Sequence, residues 1–336
     1  MVLVTGGTGL LGSHLLYQLA SRGIKIKALV RPSSSLKNVR NLFGERVDLW
    51  GSIEWVRGDL LDVVSLEEAM RGVEKVYHCA AMVSFVPKDR YEMDEINRTG
   101  TANVVNLCLE AGVKKLCYVS SVAAINRMDE SGIISELTPW QDNAGNSHYA
   151  ISKRAAELEV YRGMAEGLNA VIVNPGIIIG PGNWNNGSGK LFTSVWNGLM
   201  FYSEGMSGFV SAEDVASCMY QLMESEISGE RFIVVSENLT YREVLFHIAD
   251  CLGRRRPFLK ANKLLSAVAW RMASIASFFS GKNPLITRET AASGLRKTRY
   301  SNEKIKNALT IDFEKIKPVI SRTAAAFLRE YQPARK

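Results

Sequence analysis

Cysteine is scarce in this 336-residue chain, and the five present (Cys79, Cys108, Cys117, Cys218 and Cys251) are dispersed in apolar surroundings without metal-ligand spacing. That excludes a disulfide framework and a clustered metal site, and it fits reduced, buried thiols in a cytoplasmic protein. No signal peptide is expected, because the first motif is already under way at residue 5. Long hydrophobic runs are missing too. The apolar run 264–279 is too short for a typical membrane span and contains Arg271. An amphipathic or core helix with at most peripheral membrane contact is expected there, and no integral membrane segment. Repeats and low-complexity tracts are absent, and Ser33 to Ser35 is too short for a linker. The net charge of +7 is mild, with basic residues scattered apart from Arg254 to Arg256 and Arg296 to Arg299. We read weak attraction to anionic ligands and no nucleic-acid footprint. What remains is an ordinary soluble composition, long enough for one large domain or two unequal ones.

The most informative stretch is residues 2–12, VLVTGGTGLLG. A buried-strand run, Val2 to Val4, meets a glycine turn. Leu10, Leu11, Leu15, Leu16 and Leu19 then recur at helical spacing. Strand, tight glycine loop and helix form the context of a dinucleotide fingerprint. Glycines let the backbone approach a ligand, and a helix N-terminus favours a diphosphate. The spacing here is Gly6-x-x-Gly9-x-x-Gly12.

A second strand is expected over 24–30. At its end, where an acidic residue would bind a ribose 2′-hydroxyl, stand Arg31, three serines and Lys37. Cation plus hydroxyls is the chemistry of a 2′-phosphate site, so NADP(H) is expected over NAD(H). A solvated loop arginine is the alternative. A strand at 53–56 ends near Asp59 and Leu60. The Asp59 carboxylate suits an adenine amino group or the cap of a helix over 63–70. Further strands are read at 73–81, ending in the small Ala80 and Ala81, and at 114–122, ending in Ser120 and Ser121, with a long helix opening at Asn97 between them. Alternating strands and helices imply an α/β fold with a doubly wound parallel sheet, ligands lying beyond the C-terminal strand ends.

Downstream, Tyr149 and Lys153 lie four residues apart on a predicted helix and so share a face. A free phenol has a pKa of about 10. A nearby ammonium and a cationic nicotinamide ring are expected to lower it. With a Ser121 hydroxyl holding a substrate carbonyl oxygen, the three make a general acid and polariser for hydride transfer.

These motifs, with Gly58-Asp59-Leu60, His78-Cys79-Ala80-Ala81, Asn97-x-x-Gly100-Thr101 and Asn174-Pro175-Gly176, resemble an extended short-chain dehydrogenase/reductase of the NAD-dependent epimerase/dehydratase superfamily. The match covers roughly the first two-thirds of the chain. Val76 to Ala81 and Val30-Arg31-Pro32 resemble its dihydroflavonol-reductase-like and 3β-hydroxysteroid-dehydrogenase-like branch. The resemblance implies a Rossmann fold and the catalytic set Ser121, Tyr149 and Lys153, the later serine of the pair being preferred. It implies cofactor contacts from Gly6, Thr8, Gly9, Leu10, Leu11 and Gly12 of the loop, and from Asp59, Leu60, Ala80, Ala81 and Asn97. Arg31 and Lys37 would hold the 2′-phosphate, and Pro175 and Ile178 would lie on the nicotinamide side. It also implies a homodimer through helices such as that of residues 97–109. One departure is Ser211, where the family usually has histidine.

Residues 1–175, with 209–235 returning to them, are expected to form the dinucleotide-binding domain. Residues 176–208 and 236–336 are expected to form a smaller mixed, mainly helical substrate lobe. A helix is read over 209–224, a strand over 231–235 and lobe helices over 241–251, 263–279 and 302–309. Trp184, Phe192, Trp196, Phe201 and Tyr202 line a substrate pocket there or form ordinary core. Ser147 and His148 border the site. Arg296 and Arg299 are read as a solvated basic turn or, less directly, a diphosphate site. The expected activity is NADP(H)-dependent reduction of a carbonyl, or oxidation of a secondary alcohol, in a small, partly apolar molecule. The alternatives are a nucleotide-sugar epimerase/dehydratase with bound NAD(P), and a non-catalytic NADP(H)-sensing protein of the same fold.

Overall fold

Short runs rich in Val, Ile and Leu alternate along the chain with helices that bury one leucine- or valine-bearing face, and this alternation sets the architecture. The computed structural model describes residues 1–125, 132–142, 145–262, 270–271 and 287–331. First come β1 (Val2–Thr5), α1 (Leu10–Ser21), β2 (Ile26–Val30), α2 (Lys37–Phe43), α3 (Val47–Gly51), β3 (Ile53–Arg57), α4 (Val63–Met70) and β4 (Lys75–His78). Next are α5 (Arg90–Asp94), a π-helical turn (Glu95–Thr99), α6 (Gly100–Glu110), β5 (Lys115–Val119), β6 (Ile133–Ile134), α7 (His148–Ala165) and β7 (Ala170–Pro175). The chain continues through β8 (Ile177–Ile179), α8 (Gly189–Trp196), β9 (Phe201–Tyr202), β10 (Met206–Ser211), α9 (Ala212–Glu224), β11 (Glu230–Val234), β12 (Glu237–Thr240), α10 (Tyr241–Cys251), β13 (Leu259–Lys260) and β14 (Arg299–Tyr300). Helices Glu303–Ala308 and Ile316–Glu330 follow.

Seven strands form one sheet in the order β11-β7-β5-β4-β1-β2-β3, every pair parallel. The order reverses between β1 and β4, which opens a crevice beyond the strand ends. Leu15, Leu16 and Leu19 of α1 and Met219 and Leu222 of α9 cover one face of the sheet. Leu66 of α4, Val104 and Val105 of α6, and Ala156 and Val160 of α7 cover the other. The doubly wound α/β reading is therefore borne out. A smaller mixed sheet, β12-β10-β8, sits apart from the main one.

Several boundaries differ from the sequence reading for local reasons. The second strand starts at Ile26, not Ile24, because the Ile24 N–H still closes the end of α1 on the Leu19 carbonyl. The ladders of β4 and β5 stop at His78 and Val119, so Ala80, Ala81, Ser120 and Ser121 are loop residues beyond the strands. The helix read over 209–224 begins only at Ala212. Phe209 to Ser211 belong to β10, and the Ser211 hydroxyl caps α9 by accepting from the Asp214 N–H at 2.9 Å. The helix expected over 63–70 is present, but its cap is Asp62 rather than Asp59. The helix expected over 263–279 lies, apart from Trp270 and Arg271, outside the described residues.

Trp184, Phe192 and Trp196 of the aromatic segment belong to the core, while Phe201 and Tyr202 stay half-buried in β9. Phe192 is 1% exposed, and Trp184, Phe192 and Trp196 pack around Phe327 at centroid distances of 5.2, 6.3 and 5.7 Å. The Trp184 indole N–H donates to Glu330, which fixes the closing helix of the chain.

Candidate active site

Gly6 shows why this loop needs glycine. Its φ is +70°, and a Cβ there would come within 2.6 Å of the Ala80 Cα. At Gly12, a Cβ would run into the Gly6 carbonyl oxygen. Loop, helix α1 and the β4 exit therefore meet backbone to backbone, leaving the N-terminus of α1 open at the crevice. The Gly9 N–H closes the turn on the Gly6 carbonyl at 3.0 Å, and Gly9 caps α1 with no side-chain partner. Such a cradle fits a dinucleotide diphosphate, with the half-buried Thr8 and Leu10 beside it, whereas the Leu11 side chain turns into the core.

A buried histidine holds the β4 exit in place. His78 is fully buried, its Nδ1 2.7 Å from Thr5 Oγ1 and its Nε2 3.0 Å from Thr101 Oγ1. Burial pushes its pKa down to about 3, so the ring is neutral and serves as a strut. Beyond it, Asn97 sits in the π-helical turn. Its Oδ1 accepts from the Met82 N–H at 2.7 Å, and its Nδ2 donates to the Met82 carbonyl and to Ser152 Oγ. Both amide donors are thus committed to protein partners, tying the Ala80–Ala81 loop to α7.

At the end of β2, Arg31 follows the strand directly and Lys37 opens α2. Both are exposed, and neither has a carboxylate partner among the described residues. Asp59 Oδ1 accepts from the Leu61 N–H at 2.9 Å. The Leu60 side chain is core, while its carbonyl accepts from Asn103 Nδ2. Pro175 ends β7, buried, and Ile178 lies half-buried in β8.

Ser121, Tyr149 and Lys153 converge at the ends of β5 and α7. Ser147 caps α7 by accepting from the Ala150 N–H at 3.1 Å, which starts the helix so that Tyr149 lies in its first turn. The Tyr149 ring packs edge-on against Phe85 at 5.7 Å. Burial around the hydroxyl raises its pKa, and hydrogen bonding with Ser121 offsets part of that rise. This corrects the expectation that the neighbouring ammonium lowers it. Lys153 Nζ instead donates to Tyr118 Oη at 2.6 Å and to the Val119 carbonyl at 2.9 Å. The lysine is 1% exposed, and burial brings its pKa down to about 7 against the opposing pull of Glu157.

The two serines are used differently. Ser120 is buried and donates to Glu157 Oε2 at 2.7 Å, whereas Ser121 stays half-exposed beside the phenol. Glu157, one turn beyond Lys153, is fully buried. It also accepts from Asn174 Nδ2 at 2.9 Å and from Arg231 at 3.0 Å. Asn174 reaches on to the Ser121 carbonyl at 3.0 Å. Sequence reasoning missed Tyr118, Glu157 and Arg231. The available signal was a carboxylate on the buried stripe of α7, in register with Ala150, Lys153 and Val160.

Residues 2–235 match the NAD dependent epimerase/dehydratase family. The chain belongs to that family. It is an oxidoreductase of the short-chain dehydrogenase/reductase type, and its cofactor class is NAD(P). Sterol demethylase protein B of Methylococcus capsulatus is 31% identical over 264 residues, covering 76% of each chain. Anthocyanidin reductase of Arabidopsis thaliana is 31% identical over 278 residues, 76% of this chain and 80% of its own. The crystal structure of gox2253 superposes over 98% of each chain with a TM-score of 0.81 at 29% identity. The likeness to dihydroflavonol reductases read from the sequence is also borne out.

Proposed function

We propose that the chain is an NADP(H)-dependent carbonyl reductase, or in reverse an alcohol dehydrogenase, acting on a small, partly apolar substrate. The observation that carries this reading is the convergence of Ser121, Tyr149 and Lys153 beside the glycine loop. A nicotinamide bound in the groove would supply or accept the hydride. The Ser121 hydroxyl holds the substrate oxygen, and the Tyr149 phenol passes it the proton. Lys153, with two N–H groups on Tyr118 and Val119, has a third for the nicotinamide ribose. Arg31 and Lys37, without a carboxylate partner among the described residues, suit a 2′-phosphate. Asp59, Ala80, Ala81, Pro175 and Ile178 complete the cofactor groove, and Leu60 and Asn97 act by shaping it.

The same reading divides the chain into a dinucleotide domain (1–175 and 209–235) and a substrate lobe (176–208 and 236–336), in a cytoplasmic homodimer. Relatives named as reductases support it, as does the name of the sterol demethylase protein B for an apolar substrate. A nucleotide-sugar epimerase/dehydratase is the second reading, favoured by the family description.

One screen separates the two. Aldehydes, ketones and nucleotide sugars are offered with NADPH or NADH while nicotinamide absorbance and product are followed. A reductase consumes NADPH with a carbonyl substrate. An epimerase converts a sugar with no net absorbance change, and that result overturns the proposal. Arg31→Glu should collapse the preference for NADPH, while equal wild-type affinities for NADPH and NADH would remove the cofactor assignment.

A further inference from the structure

Between Asp250 and Glu289 the sequence has no acidic residue and eight basic ones, leaving 33 basic and 34 acidic residues for the rest of the chain. The whole net charge of +7 therefore resides in one stretch. Its described portion builds a surface. After α10, β13 pairs in parallel with β9, and the N–H groups of Phe258 and Leu259 both donate to the Met200 carbonyl at 2.9 Å. Held by this backbone pairing, Phe258, Leu259 and Met200 remain 49%, 39% and 49% exposed.

Cations interleave with these apolar groups. The Arg254 guanidinium lies 3.8 Å over the Trp196 ring, and that of Arg255 lies 4.3 Å over the Phe258 ring. Neither has a carboxylate partner among the described residues. Arg256 is paired with Asp250, and Lys260 stands 3.9 Å from Glu204. A guanidinium held over an aromatic ring still has N–H groups to offer an anionic oxygen. Exposed apolar side chains among unpaired cations match the chemistry of an anionic bilayer surface. Phosphate meets the guanidinium groups, and the acyl boundary meets Phe258, Leu259 and Met200. Nucleic acid would satisfy the cations and stack on Phe258, but would leave Leu259 and Met200 in water.

We propose that Arg254, Arg255, Phe258, Leu259 and Met200 dock the protein peripherally on an anionic lipid membrane. This surface is separate from Ser121, Tyr149 and Lys153 and independent of the reaction assigned to them. Co-sedimentation of the full chain with phosphatidylcholine vesicles, with and without phosphatidylglycerol, tests it. Binding is expected only with phosphatidylglycerol and weakens as salt is added. Each cation near such a surface contributes about 1 kcal/mol, so the double variant Arg254→Gln, Arg255→Gln should bind about thirty-fold more weakly. Phe258→Ser should weaken binding without changing its salt dependence. NADPH affinity, unchanged in each variant, confirms folding. Failure to bind, equal binding to both vesicle types, or undiminished binding by the double variant overturns the proposal. Tighter binding to a single-stranded oligonucleotide than to the vesicles also overturns it, in favour of a nucleic-acid surface.

Discussion

At the C-terminal edge of the seven-stranded sheet, each position asks for one kind of residue. Gly6 adopts a φ that disfavours any side chain and touches Ala80 backbone to backbone, and Glu157 is a buried carboxylate that accepts from Ser120, Asn174 and Arg231. Around Phe327 the requirements are looser. Trp184, Phe192 and Trp196 fill space against it, and other apolar side chains of similar volume would serve. The difference is one of substitutability. Hydrogen-bond geometry and backbone conformation accept few residues, whereas volume accepts many.

Four measurements would break or sharpen that contrast. Tyr149→Phe removes one oxygen from the edge and should lower turnover by about 10³-fold, within the span expected for a lost general acid. NADPH affinity, read by fluorescence titration, should stay within about two-fold, since a small change of ring polarity leaves the glycine cradle intact. Unimpaired turnover would remove Tyr149 from the proton-transfer role.

Glu157→Leu should destabilise the fold by about 3–5 kcal/mol, because it leaves Arg231 and Arg154 without their buried carboxylate. Urea unfolding measures it. A loss under ~1 kcal/mol would show that the network is no more exacting than ordinary core. In the other region, Phe327→Leu should cost less than about 1.5 kcal/mol, since neighbouring aromatic rings can close on the smaller side chain. A larger loss would place the Phe327 cluster among the positions that accept only one residue.

The same contrast explains what could be read from the sequence. The glycine loop, the strand–helix alternation and the Tyr149–Lys153 pair were legible because each is a local pattern with a physical reason for its spacing. Choosing Ser121 over Ser120 needed the family resemblance, and the structure adds that Ser120 faces Glu157. Tyr118 and Arg231 were not legible, because their partners are 35 and 74 residues away and nothing local marks them. The small strands β8, β10 and β12 escaped for a related reason. They are short, and their pairing is set by contacts across the chain rather than by alternation.

The smallest expected effect concerns the charge on Lys153. Burial lowers its pKa from the ordinary 10.5 to about 7, and Glu157 opposes that fall. Reductase turnover that requires the ammonium should therefore decline as pH rises through about 7. Glu157→Gln keeps the shape of the side chain but removes the charge that favours protonation, so the decline should move to lower pH while the profile keeps its form. Stability follows the opposite sign. Between about pH 7 and 10.5 the unfolded chain carries a proton on Lys153 that the folded chain has released, so this group makes stability rise with pH across that window. Below it both states are charged, and the burial penalty is full. Lys153→Met should flatten the rise in urea-unfolding measurements and remove most of the turnover. A pH profile that does not move in Glu157→Gln would assign the titration to another group and leave Glu157 as a strut beneath Ser120 and Asn174.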